Sequence, residues 1–199
     1  DAALATSQGN GTRNEPFQSV ERALRSVAGT ERRTIFLSEG RYSVDARDLT
    51  ETMVQVPDLS VVGGFTAETW ESGEATSHLE ITSEENVPIT FTGSVRLRNL
   101  AVSATGDDTI SIRGGEVTFD TVDLYGRAGT PIIVKHEAGL LTVRRSEIPF
   151  IDSTAYTTLT VEDSRVHALS VKNARATIER SELTALQIDE GSDCTVVNS

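Results

Sequence analysis

Apolar and polar residues alternate with a period of two in a short pattern that recurs along the second half of the chain. The pattern is apolar-x-apolar-x-x-small/apolar-x-apolar, and its copies begin 17 to 24 residues apart. Such alternation is typical of β-strands, because successive side chains of a strand point to opposite faces. The copies are VRLRNLAV from Val95, VTFDTVDL from Val117, LTVRRSEI from Leu141, LTVEDSRV from Leu159, ATIERSEL from Ala176 and CTVVNS from Cys194.

A second short strand is predicted between most successive copies. These strands are ISI at Ile110, IIV at Ile132, LSV at Leu169 and LQI at Leu186. One unit of this kind cannot bury its apolar row alone, so it must stack on its neighbours. Equivalent strands stacked in parallel, about 4.8 Å apart, form columns of inward side chains. The repeat therefore predicts an all-β fold, a single-stranded parallel β-helix or solenoid.

The repeat also predicts which residues share a column, and we number its positions one to eight from the first apolar residue. Positions one and three point inward, and they hold Val95/Leu97, Val117/Phe119, Leu141/Val143, Leu159/Val161, Ala176/Ile178 and Cys194/Val196. Position two is mostly threonine and points outward. The outward position four mostly alternates in charge, with Arg98, Asp120, Arg144, Glu162 and Glu179.

Position six changes from an apolar residue to serine in the later copies. The serines are Ser146, Ser164, Ser181 and Ser199. Stacked hydroxyl groups can bond one another and the backbone of a bend. We therefore expect this column to lie at a bend between two strands.

Upstream of the regular repeats the pattern is looser and includes one predicted helix. Phe17, Val20, Leu24 and Val27 fall at helical spacing within Pro16–Ala28, and Gly29 is a suitable C-terminal stop. We expect this amphipathic helix to cap the open end of the solenoid. Strands are predicted in TIFLSEGRYSV (34–44), MVQV (53–56), LSVVGGF (59–65), LEI (79–81) and ITF (89–91).

The predicted organisation is an N-terminal segment with the capping helix at 1–33, followed by β-helix coils at 34–199. The last copy runs out within a repeat, so the final coil is predicted to be incomplete. Natural proteins cover exposed strand edges. We expect this end either to continue into further coils or to stack on another chain, and continuation is the preferred interpretation.

Composition and charge limit the classes of partner that the chain is expected to bind. The formal net charge is −12 and aromatic residues make up 5% of the chain. A nucleic-acid partner is disfavoured, because a phosphate backbone requires clustered Lys and Arg. Direct insertion into a membrane is not expected, because no apolar run approaches about 18–20 residues. The single cysteine, Cys194, cannot form an internal disulfide and lies in an inward column.

Two N-terminal motifs resemble those of a known superfamily. The first is GNGTRNEPFQSVERALRSVAGTERRTIFLSEGRYSV, which resembles the opening of many secreted bacterial β-helix proteins of the pectate-lyase-like superfamily. The second, LSVVGGFTAETWE, is similar to a Gly-Gly-Phe/Tyr…Trp segment of one surface-protein subgroup of unassigned function. The resemblance implies a right-handed parallel β-helix that is secreted or held on the outer cell surface. The matching residues are Pro16, Phe17, Ser19, Thr34 to Leu37, Gly40, Tyr42, Gly63, Gly64, Phe65 and Trp70.

The same resemblance suggests where catalytic carboxylates would lie if the protein were an enzyme. TGDDTISI resembles the Gly-Asp-Asp stretch of polygalacturonase-type hydrolases, whose paired carboxylates perform acid–base chemistry. Asp107 and Asp108 are the candidates here, although the other hydrolase motifs are missing and Gly-Asp-Asp also suits a turn. A lyase-like site would need several carboxylates for calcium and a basic residue. Asp120 and Arg144, one and two coils later, are the remaining candidates, but alternating charges also suit an outward column.

Two hypotheses for function follow. The first is a non-catalytic, secreted or cell-surface scaffold without a cofactor, which presents one face to a glycan, a protein partner or its own copies. The second is a calcium-dependent polysaccharide lyase or a glycoside hydrolase that uses Asp107, Asp108, Asp120 and Arg144. The hypotheses differ in whether these four side chains converge in one open groove, about 5–10 Å apart.

Overall fold

The protein, described by a computed structural model, consists mainly of β-strands. The structure describes residues 9–28, 30–73, 76–83, 88–105, 109–126 and 130–198. Within these ranges it has two helices, α1 (Val20–Val27) and α2 (Ala46–Gln55), and fourteen strands in one sheet. The strands are β1 (Thr34–Ser38), β2 (Gly40–Asp45), β3 (Leu59–Phe65), β4 (Ser77–Thr82), β5 (Ile89–Phe91), β6 (Val95–Thr105), β7 (Thr109–Gly126), β8 (Ile133–Arg144), β9 (Glu147–Thr154), β10 (Thr158–Glu162), β11 (Arg165–Lys172), β12 (Arg175–Glu179), β13 (Glu182–Ile188) and β14 (Asp193–Val197).

The named strands of the sheet pair in parallel, and the partners come from successive repeats. One series of neighbours is β1, β3, β6 and β7, and a second is β8, β10, β12 and β14. β7 pairs with β8 and joins the two series. The all-β prediction is confirmed, and the long parallel sheet is compatible with the predicted β-helix.

The predicted inward columns are confirmed by the register of these pairs. Position one runs in register from Val95 to Cys194, and position three from Leu97 to Val196. β3 extends both columns upstream with Leu59 and Val61. The column residues are buried as far as Ile178, whereas Cys194 is half-buried and Val196 is 46% exposed in β14. Each fully buried aliphatic side chain contributes roughly 1.5–3 kcal/mol, so these columns are the main source of stability.

A left-handed residue occupies position five of each repeat and turns the chain between two strands. Arg145, for example, has φ +48° and Asp163 has φ +49°. This conformation costs a residue other than glycine roughly 1–2 kcal/mol, so the stack must compensate at each bend. The residues of this column are Asn99, Thr121, Arg145, Asp163, Arg180 and Asn198.

The buried serines of position six supply part of that compensation. The N–H of Ser146 donates to Oγ of Ser164 at 3.1 Å, and the N–H of Ser164 donates to Oγ of Ser181 at 3.2 Å. Each of these three hydroxyls in turn donates to the position-four carbonyl of its own repeat, at 2.6–2.7 Å. The predicted serine column at a bend is confirmed for these residues, and Ser199 lies outside the described residues.

Helix α1 is shorter than predicted. It begins at Val20, because Ser19 is extended (φ −133°) and its side chain accepts a hydrogen bond from the N–H of Arg22. Phe17 therefore precedes the helix, where its ring lies 5.8 Å from the Arg22 guanidinium. The buried face, Val20, Leu24 and Val27, contacts α2, β1 and β2 at the N-terminal end of the sheet. Gly29, the predicted stop, lies outside the described residues.

Helix α2 corrects the prediction of a strand at MVQV. Ala46, Leu49, Met53 and Val56 are buried on one helical face, and the Asp45 side chain accepts a hydrogen bond from the N–H of Arg47. The apolar alternation in 53–56 is too short to distinguish the helical period of about 3.6 residues from the strand period of about two. At eight and ten residues, the described helices are not long and apolar enough to cross a membrane.

Two adjacent polar residues, His136 and Ser153, interrupt an inward column. His136 lies in register between Ile112 and Ser153 and is fully buried. Its Nδ1 lies 3.1 Å from Oγ of Ser153, which lies 2.7 Å from Oγ1 of Thr157, and its Nε2 lies 3.2 Å from the carbonyl oxygen of Gly139. A neutral imidazole that donates from Nε2 satisfies every contact. Burial lowers the pKa of His136 to about 4, although the hydrogen bond to the carbonyl of Gly139 opposes the shift.

We predict an acid-dependent loss of stability from this histidine. The unfolded chain binds a proton on His136 near pH 6.5, whereas the folded chain does so only near pH 4. The contribution of the neutral His136 to the free energy of unfolding is complete above pH 6.5. It falls by about 3 kcal/mol as the pH drops to 4, since one pKa unit is about 1.36 kcal/mol. Urea unfolding at pH 7, 5.5 and 4 measures this loss. His136→Gln should show a smaller loss than the wild type.

An equal dependence in the wild type and in His136→Gln would contradict the assignment.

Candidate functional site

A shallow, open groove follows the bends from repeat to repeat and has a volume of about 820 Å³. We call it the bend groove. Its two walls are positions five and seven of the repeat, and its floor is position six. One wall contains Asn99, Thr121, Arg145, Asp163 and Arg180, the other Ala101, Asp123, Glu147, Arg165 and Glu182, and the floor Leu100, Val122, Ser146 and Ser164. Gly73 and Thr76 line the end nearest β4.

The bend itself explains why these positions form a groove. The left-handed residue at position five turns the backbone, while position six remains buried beneath it. Positions five and seven then project on either side of that buried residue. Because the strands are in register, each wall is a column with one side chain per strand.

The position-five wall is held by ion pairs between neighbouring strands. Arg180 makes two hydrogen bonds to the Asp163 carboxylate, at 2.7 and 3.0 Å. This contact lowers the pKa of Asp163 and raises that of Arg180. Arg145 pairs with Asp120, which also lies 3.7 Å from Arg98. Exposed pairs of this kind contribute little to stability, so their main effect is to fix side-chain positions.

The position-seven wall is also charged. Arg165 lies 2.9 Å from the carboxylate of Glu182 and 4.0 Å from that of Glu147. The hydrogen bond to Glu182 raises the pKa of Arg165. Glu147 also accepts from Nε2 of His167 at 3.0 Å. A guanidinium group therefore lies between two carboxylates along this wall.

Two carboxylates are neighbours at the middle of the same wall. Asp123 lies in register with Glu147 on the next strand. Partial burial and then the charge of Glu147 raise the pKa of Asp123, while His78 opposes this shift. Nδ1 of His78 lies 3.1 Å from the hydroxyl oxygen of Tyr125, two residues from Asp123. Partial burial and the neighbouring carboxylate thus both favour the protonated form of Asp123.

Among the described residues, the catalytic candidates named from the sequence do not come together in the bend groove. Asp120 forms ion pairs with Arg98 and Arg145, and Arg144 lies 3.0 Å from the Glu162 carboxylate. Neither Asp120 nor Arg144 is among the described residues that line the groove. Asp107 and Asp108 lie outside the described residues. The pairing of Arg144 with Glu162 agrees with the interpretation of position four as an alternating outward column.

Glu147, Arg165 and Glu182 were missed as a possible site. Their signal was available, because position seven is charged in every copy from Asp123 to Glu182. The left-handed bend that turns this column into a groove wall had a weaker signal. Asn99 and Asp163 suit that conformation, whereas Thr121, Arg145 and Arg180 are not typical of it. Among the residues that the structure describes, no group of three or more His, Cys, Asp or Glu side chains is arranged to hold a metal ion.

We predict that Glu147→Gln lowers the pKa of Asp123, because it removes the neighbouring negative charge while burial remains. Carbon-detected NMR titration of the Asp123 carboxyl group measures this pKa. Glu182→Gln removes a charge from the same wall three strands away and serves as the control, which should leave the pKa of Asp123 unchanged. Equal effects of the two substitutions would contradict the local coupling.

The chain matches no family model, no curated protein and no solved structure. The resemblance to the pectate-lyase-like superfamily therefore remains a prediction from sequence motifs. The parallel sheet is compatible with that prediction. A proposal for the function therefore rests on the geometry of the bend groove.

Proposed function

We propose that the protein is a non-catalytic binding scaffold that holds a neutral glycan in the bend groove. In this proposal the parallel sheet is wound as a right-handed β-helix, α1 belongs to its N-terminal cap, and no cofactor is needed. The resemblance of the N-terminal motifs supports a place outside the cell or on its outer surface.

The observation that carries the proposal is a long open groove whose walls present hydrogen-bonding groups at regular spacing. Five repeats contribute to the position-five wall, from Asn99 to Arg180, and the position-seven wall carries charged side chains from Asp123 to Glu182. Four steps of about 4.8 Å give a length of about 19 Å, which is the span of a short oligosaccharide. Ion pairs between strands hold many of these groups in place, so little side-chain freedom remains to be lost on binding.

The chemistry of the walls favours a ligand rich in hydroxyl groups. Guanidinium groups donate hydrogen bonds and carboxylates accept them, whereas each sugar hydroxyl does both. Carboxylates such as Asp123, Glu147 and Glu182 would repel a polyanion, and the net charge of −12 adds to that repulsion. A neutral glycan uses both kinds of group without an electrostatic penalty.

A second candidate function is glycoside hydrolysis, and the pair of Asp123 and Glu147 favours it. A raised pKa suits Asp123 to donate a proton, and in-register neighbours bring their carboxyl groups close to the separation of about 5–5.5 Å in retaining enzymes. Glu147 is the corresponding nucleophile. The calcium-dependent form of this alternative gains no support from the described residues, because Asp120 and Arg144 already form other ion pairs and no group of three or more His, Cys, Asp or Glu side chains is arranged to hold a metal ion there.

Calorimetric titration with cellohexaose, xylohexaose and mannohexaose tests the proposal, with oligogalacturonate as the anionic comparison. At least one neutral hexaose should bind, and oligogalacturonate should bind more weakly or not at all. Arg165→Gln should weaken binding about tenfold, because it removes one charge-assisted donor from the groove. Arg175→Gln is the matched control, since Arg175 forms an exposed ion pair with Asp193 away from the groove lining.

The outcomes separate the two functions. Binding without cleavage supports the scaffold, whereas chromatographic detection of shorter sugars, abolished by Asp123→Asn, would support the hydrolase. Failure of every neutral hexaose to bind, or equal losses in Arg165→Gln and Arg175→Gln, would contradict a glycan site in the bend groove.

A further inference from the structure

Three aromatic side chains form a cluster on the surface near the N-terminal end of the sheet. The rings of Phe36 and Phe65 meet edge to face, with centroids 5.3 Å apart and an interplanar angle of 89°. Trp70 packs on Phe65 at 6.2 Å with a tilt of 37°. The backbone of Phe36 on β1 pairs with Val62 of β3, but its side chain remains 54% exposed. Phe65 and Trp70 are half-buried, so the three rings together form one apolar patch of the surface.

The cluster lies where a longer connection replaces a one-residue bend. Later repeats cross the bend with a single left-handed residue, whereas the chain between Val62 and Ser77 makes an excursion that contains Trp70. The N–H of Trp70 donates to the carbonyl of Thr66, and Arg13 donates to the carbonyl of Thr69. These bonds fix the connection beside β3.

The same connection reaches the bend groove. The N–H of Gly73 donates to the carbonyl of Gly64 at 3.0 Å, and Gly64 immediately precedes Phe65. Gly73 also lines the end of the groove. The connection that carries Trp70 therefore extends from the aromatic cluster to the end of the bend groove.

A pyranose ring matches this combination of surfaces. It has a face of C–H groups that stacks on aromatic rings and an edge of hydroxyl groups that form hydrogen bonds. Aromatic faces carry partial negative charge and attract such C–H groups. Polar groups at the groove end would then bind the hydroxyls of the same glycan.

We propose that the Phe36–Phe65–Trp70 cluster is a stacking subsite for one pyranose ring at the end of the bend groove. This inference rests on the proposed function, because the glycan in the groove is the same molecule. Phe36 provides the exposed surface, Trp70 borders it, and Phe65 holds the two rings in position.

Trp70 is the only tryptophan, so its fluorescence reports on this subsite alone. Titration with the neutral hexaose that gives the strongest calorimetric signal should change Trp70 emission with the same Kd. Phe36→Leu should weaken binding about tenfold while the Tm stays close to that of the wild type, because leucine retains apolar volume but removes the ring. Tyr156→Leu is the matched control, since Tyr156 is 93% exposed and does not belong to the cluster or the groove lining.

Three results would count against the subsite, and they differ in what else they remove. Calorimetric binding with unchanged Trp70 emission and an unchanged Kd in Phe36→Leu overturns the subsite and leaves the groove proposal standing. Absence of binding by all three hexaoses overturns both. Equal weakening by Phe36→Leu and Tyr156→Leu also overturns the subsite. If Phe36→Leu lowers the Tm strongly, the emission of the wild-type protein decides the question.

Discussion

The bend between positions four and seven is the constraint on which the rest of the structure depends. Each bend requires one residue in the left-handed region, including β-branched Thr121 and the long Arg145 and Arg180. A single bend of this kind is unfavourable for such residues. Stacking makes it stable, because the N–H of each bend residue from Arg145 to Arg180 bonds to the position-four carbonyl of the next repeat, and serine hydroxyls accept the neighbouring N–H groups. The bends therefore stabilise one another as a column.

The same bend connects the fold to the proposed binding surface. It buries position six, places positions five and seven on two walls, and leaves the side chains on those walls free to vary. Ion pairs such as Asp163–Arg180 and Arg165–Glu182 use that freedom to order the walls. The longer connection between Val62 and Ser77 ends the groove and adds the aromatic cluster. Stability thus comes from what the repeats share, and the proposed binding surface from what they change.

Much of this architecture was predictable because it is repeated. The inward columns follow from period-two alternation and constant spacing, and the buried serines follow from a polar residue that recurs at one position. Three features were not predictable for physical reasons. Helix α2 was not predicted, because the residues 53–56 taken alone satisfy the alternation of a strand. His136 was hidden because its partners Ser153 and Thr157 come together only after stacking. The bend groove was hidden because left-handed Thr and Arg have no signature in residue type.

The in-register stack of parallel strands is the central claim, and its spacing is directly measurable. Ser60 and Thr177 occupy the outward position-two column, five strand steps apart. Spin labels on Ser60→Cys and Thr177→Cys, introduced together with Cys194→Ser, allow that distance to be measured by pulsed electron paramagnetic resonance. Five steps of about 4.8 Å predict one narrow distribution near 24 Å between the attachment points. A distribution that is broad, or centred far from that value, would contradict the stack and with it the bend groove.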